Sequence, residues 1–136
     1  MNYKKWFLAG IVGGIAYWLL SFIVNILVGG IWPYDIFSLG GMRSVSDPVM
    51  ALYFVHPFVL ALAMAFVYQK VAPILKGTVF QKGMQFGWII WPVAGLPSAF
   101  MVYTTMNYPI GFTVQSIFGT LLGAFAAAIV IAKLSE

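Results

Sequence analysis

The chain contains no cysteine, one histidine and only three acidic residues among 136. Without cysteine there is no disulfide and no thiolate nucleophile. One histidine and no cysteine cannot supply the ligands of an ordinary zinc site. Charge is the scarcest commodity, at 7% of residues against 62% hydrophobic. A soluble domain carries roughly 25% charged residues because its surface must face water. Seven basic and three acidic side chains cannot coat a domain of this size, so most of the surface has to face lipid.

What fills the chain instead is long apolar runs. Residues 6–34, 48–69 and 83–132 hold no Asp, Glu, Lys or Arg. A helix needs about 20 apolar residues to cross the hydrocarbon. The first two tracts fit one crossing each, and the third fits two with a turn at "TTMNYPIG" (104–111), where Asn107 and Pro109 interrupt it. The reading is an all-α integral membrane four-helix bundle, one domain over 1–136, with spans near 6–29, 50–70, 83–103 and 110–132. A transmembrane barrel would show short alternating segments instead. Lys4 and Lys5 resemble the start of a signal peptide, but the apolar run is too long and no A-x-A site follows, so it reads as a retained first span.

Basic residues are spread by side and not clustered for nucleic acid. Lys4 and Lys5 precede the first span, Lys70, Lys76 and Lys82 separate the second and third, and Lys133 follows the fourth; the other side holds Arg43 with Asp35 and Asp47. Such a bias predicts both termini and the 70–82 hairpin in the cytoplasm of a plasma (inner) membrane protein. The outer connection, "IWPYDIFSLGGMRSVSDP" (31–48), is the one long polar segment. Its "IFSLGGM" is expected as a short interfacial helix or cap, and Asp47-Pro48 as the start signal of the second span. "Ile-Trp-Pro" recurs at 31–33 and 90–92 on flanks that do not align, so it is no repeat. In the third span Pro92 and Pro97 flank Gly95, a packing kink or a cavity-lining break.

Gly10 and Gly14, Gly83 and Gly87, and Gly119 and Gly123 recur at helical spacing, with Ala61 and Ala65 in the second span. Small pairs of this kind let helix backbones approach in lipid. Seams drawn through them reach Asn25 by way of Trp18 and Ser21, Ser98 by way of Trp91 and Ala94, and Ser116 beside Gln115. At 1.5 Å rise per residue, His56, Asn25, Ser98 and Gln115 fall about 8 to 12 Å below the outer helix ends. Tyr53 lies one turn before His56. The expected site is therefore an outer-half polar layer of Asn25, Tyr53, His56, Ser98, Gln115 and Ser116 beneath the Asp35, Arg43 and Asp47 loop. Interhelical hydrogen bonds alone account for such a layer; a small-molecule pocket, a proton relay or a histidine-held haem or pigment would use the same groups.

No carboxylate lies within a span, so two-carboxylate acid–base chemistry has no place to act. His56 and Asp47 are nine residues apart on opposite helix faces, and no glycine-rich phosphate loop is present. Nothing points to an enzyme, and no cofactor is specified. In length and span number the chain resembles the small multidrug-resistance transporters, without their membrane-embedded glutamate in span one. "GGIWPYDIF" and "GMQFGWIIWP" resemble segments of four-span prokaryotic membrane proteins of unknown function, and that resemblance implies no mechanism. The expectation is a membrane binding or interaction protein, an accessory subunit for an amphipathic molecule or partner chain, in a homo-oligomer or larger complex. A small-solute transporter and a haem- or pigment-binding subunit are the alternatives.

Overall fold

The computed structural model describes residues 2–136. It is all-helical, with four helices long and apolar enough to cross a membrane: Tyr3–Ile31, His56–Ile74, Val79–Thr105 and Ile110–Ser135. We label the α-helical parts α1 (Tyr3–Ile31), α2 (His56–Val71), α3 (Val79–Ile90), α4 (Leu96–Thr105) and α5 (Ile110–Ser135). A wider turn, Trp91–Gly95, joins α3 to α4 into one broken span.

Helix starts follow local chemistry. Asn2 caps α1 by accepting from the Lys5 N–H at 3.1 Å, and Thr78 with Gln81 forms a reciprocal capping box at α3. Gly77 turns the chain just before that box at φ 93, a conformation that suits glycine. The second span departs from its expected start. Asp47 does cap a helix, but residues Pro48–Phe54 take the tighter 3-10 form and α2 begins only at His56. The cause is Pro57: it has no N–H to donate backward, so an α-helix accommodates it in its first turn. In the loop, "IFSLGGM" yields a single 3-10 turn, Ile36–Ser38, capped by Asp35.

Packing is organised by α1 and α5, which share the largest interface; α2 lies on another face of α1 and α3 on another face of α5. Backbones meet where side chains are missing. A Cβ on Gly10 or Gly14 would stand 2.9 or 3.0 Å from the Cα of Leu62 or Phe58 on α2. A Cβ on Gly83 would stand 2.7 Å from the Ile129 Cα of α5. The core sits toward the lysine-bearing end, around Met64, Tyr68, Phe86 and Ile131. There Tyr68 and Phe86 meet edge to face at 5.2 Å, closing α2 onto α3. Toward the loop end the closure fails: residues 51–56 are all exposed, and Ala99 is the one buried residue of α4.

These crossings set a testable contrast. Gly83→Ala is expected to cost about 1–3 kcal/mol by overpacking. Gly29→Ala, with nothing within 4 Å, is expected to be neutral or to stabilise by up to about 1 kcal/mol through helix propensity. Unfolding titrations in denaturing detergent measure both.

Candidate functional site

Where α2 parts from the broken span, a cavity of about 170 Å³ remains. His56 and Leu60, one turn apart at the start of α2, form one wall. The broken span supplies the opposite wall through Ile90, Trp91, Ala94, Gly95 and Ser98. Tyr17 of α1 with Thr120 and Ala124 of α5 closes the back. Tyr17 is 14 residues along α1, about 21 Å from its first residue, so the cavity lies near the middle of the helices.

The prolines explain the opposite wall. Pro92 and Pro97 cannot donate backbone hydrogen bonds, and the helix between them widens so that the Leu96 N–H reaches back five residues to the Trp91 carbonyl. The Ser98 hydroxyl donates to the Ala94 carbonyl at 2.8 Å. The Trp91 indole N–H donates to Thr120 Oγ1 at 3.2 Å, and Thr120 in turn donates to the Ser116 carbonyl at 2.6 Å. Gly95 makes this link possible. A Cβ there would stand 2.6 Å from Trp91 Cδ1 and 3.1 Å from Thr120 Oγ1.

Of the residues expected from sequence, the cavity brings together His56 and Ser98. Asn25 is exposed and accepts from the Tyr34 hydroxyl at 3.1 Å. Tyr53 is also exposed, edge-on to Phe54 at 5.6 Å. Burial raises the Tyr34 phenol above its ordinary value, with a smaller push from Tyr53. Gln115 is half-buried, its amide occupying space that a Gly119 side chain would need. Ser116 contributes its carbonyl and not its hydroxyl.

The loop residues serve the loop. Asp35 accepts from the Phe37 N–H, and Arg43 pairs with Asp47 at 2.7 Å. The Arg43 hydrogen bond, then that of the Val49 N–H, holds the Asp47 carboxyl below the usual range. Among the aromatic contacts, Tyr34 and Tyr108 both meet Phe112, and Tyr108 donates to the Gly40 carbonyl at 2.9 Å. The loop is thus pinned onto the start of α5.

Tyr17, Trp91 and Thr120 are the polar lining residues that the sequence reading left out of the site. Trp91 stood on the seam leading to Ser98. Tyr17 lies four residues after Gly13 on the buried face Gly13, Tyr17, Val24 and Val28, whereas the seam drawn from Gly14 runs through exposed Trp18 to exposed Asn25. Because α1 packs against two neighbours, its small residues mark two faces.

A second cavity, of about 320 Å³, lies at the lysine-bearing end among Asn2, Lys5, Tyr68, Gln69 and Glu136. Glu136 Oε1 accepts from Lys82 at 2.9 Å and from the Tyr68 hydroxyl at 2.8 Å. Lys82 foremost, then Tyr68, holds that carboxyl below its usual range. Among the described residues no three His, Cys, Asp or Glu side chains gather as a metal site. Comparison of the chain with protein families, with curated proteins and with solved structures finds no match.

The link between Trp91 and Thr120 carries a direct expectation. Thr120→Val keeps the shape but leaves the indole N–H unpaired, and is expected to cost about 1–3 kcal/mol. Unfolding of the variant measures the loss, and Trp91→Phe in the same background should recover most of it.

Proposed function

We propose that this is a multi-pass membrane binding protein, a four-helix bundle whose cavity between α2 and the broken span receives the head of an amphipathic molecule. The single observation that carries this reading is a cavity of about 170 Å³ that has an aromatic and hydroxyl-bearing lining and sits beside widely exposed apolar helix faces. Pockets for whole drug-sized ligands run about 300–1,000 Å³. This one holds a headgroup, and the remainder of the molecule then lies outside it. Val59, at 61% exposure, and Val93, at 75%, offer apolar surface next in sequence to the lining residues Leu60 and Ala94. In a bilayer that surface meets acyl chains.

The proposed setting is the plasma (inner) membrane, with the 32–48 loop outside and the lysine-bearing ends in the cytoplasm. The charge bias supports that orientation: Lys4, Lys5, Lys70, Lys76, Lys82 and Lys133 fall on one side and Arg43 on the other. The core of Met64, Tyr68, Phe86 and Ile131 stands between this cavity and the lysine-bearing end. A solute crossing the bundle would have to part that core, so binding accounts for the arrangement more simply than transport. A partner chain or further copies would bind through the remaining apolar faces, as for an accessory subunit.

Native mass spectrometry of the protein released from its own membranes tests the reading. The expected result is one retained amphiphile per chain, with occupancy reduced about tenfold in Ala94→Phe, a filling of the cavity equivalent to about 1.4 kcal/mol. Equal occupancy in the variant, or no retained molecule in either protein, would count against it.

A further inference from the structure

We infer that the cavity selects an uncharged, flat head bearing carbonyl oxygens, that is, the ring of a membrane quinone, over phosphate, carboxylate or ammonium heads. The inference rests on the binding reading above and specifies its ligand class.

Charge comes first. None of the lining residues is an Asp, Glu, Lys or Arg. A phosphate, carboxylate or ammonium moved there loses its water and gains no carboxylate, ammonium or guanidinium partner from the lining. A zwitterionic phospholipid head faces the same cost twice. Neutral heads escape it.

Hydrogen-bond accounting comes second. Three donors of the lining are already committed inside the protein: Trp91 to Thr120, Thr120 to Ser116, and Ser98 to the Ala94 carbonyl. The Tyr17 hydroxyl is engaged with Ser21, whose own proton goes to the Gly119 carbonyl at 2.9 Å. The donor that remains is the His56 ring, which carries an N–H in either tautomer. A free N–H on the α2 wall calls for a head that offers an acceptor there. A para-quinone carries one carbonyl at each end of its ring.

Shape comes third. Three of the polar lining side chains are planar, Tyr17, His56 and Trp91, and Leu60 and Ile90 line the cavity with them. Flat surfaces around a small volume favour a ring over a branched glycerol head. The isoprenoid tail of a quinone would then run along the exposed faces of α2 and α4.

The test uses the intact protein in phosphatidylcholine nanodiscs and follows quenching of tryptophan fluorescence. The probes are a benzoquinone with a ten-carbon tail, and a ten-carbon alcohol, carboxylate and phosphate, each of the last three competing against the quinone. The quinone is expected to saturate and to bind at least tenfold more tightly than the carboxylate or phosphate. His56→Ala is expected to weaken it roughly three- to tenfold, the loss of one hydrogen bond, and His56→Gln, which restores an N–H, to recover much of that. His56 is exposed, so its variants should fold, and an unchanged unfolding midpoint checks this.

If the carboxylate or phosphate matches the quinone, selection for an uncharged head is wrong while amphiphile binding stands. If the alcohol matches it, the carbonyl-ring assignment is wrong. Quinone binding indifferent to both His56→Ala and Ala94→Phe would place it elsewhere and overturn the inference. Saturation by none of the four would sink the binding reading as well.

Discussion

In hydrocarbon, a backbone carbonyl without a donor has no water to turn to. Pro92 and Pro97, five residues apart in a span surrounded by apolar sequence, impose that problem on the third helix. They withhold the donors that an α-helix would offer the Trp88 and Val93 carbonyls, and the bonding around them rearranges. The Trp91 carbonyl takes the Leu96 N–H from five residues on, the Ala94 carbonyl takes the Ser98 hydroxyl, and the Trp91 indole is tied to Thr120 on the neighbouring helix. The result is a widened turn that faces the start of α2 across the cavity.

The rest of the fold makes the cavity tolerable. α1 and α5 are held along most of their length by residues with little or no side chain, among them Gly13, Gly119, Gly123, Ala127 and Ala128. Close backbone approach gives this pair its van der Waals contact without help from the hydrophobic effect, which is weak between helices in lipid. α2 and α3 are then gathered at one end by Tyr68, Phe86 and the Lys82–Glu136–Tyr68 hydrogen bonds. At the other end α2 thins into a 3-10 segment and α4 is almost wholly exposed. One end is closed and rigid by packing; the other is open by the same residues' absence.

Much of this was readable in the chain, and the failures have causes. Span number and placement follow from unbroken apolar runs, which lipid demands and which few other environments do. Gly10, Gly14 and Gly83 sit where backbones cross, and Gly87 makes room for the Phe125 ring. The start of α2 was misplaced because Asp47-Pro48 caps a 3-10 helix as readily as an α-helix, and the second proline at 57 decides the outcome. Asn25, Gln115 and Ser116 were assigned to the site by following one stripe per helix. A helix with two packed neighbours has two stripes, and periodicity alone does not say which one faces the cavity. His56 and Ser98 came together because both stand next to prolines that mark the same opening.

The most direct measurement is on the double variant Pro92→Ala/Pro97→Ala, which restores two backbone donors and lets an ordinary α-helix run through the third span. Detergent unfolding and amphiphile occupancy are measured on the same preparation. If the prolines hold the cavity open, the variant gains up to about 3 kcal/mol of stability and loses at least about tenfold in occupancy. A variant that is more stable yet binds as well as the parent would contradict the account.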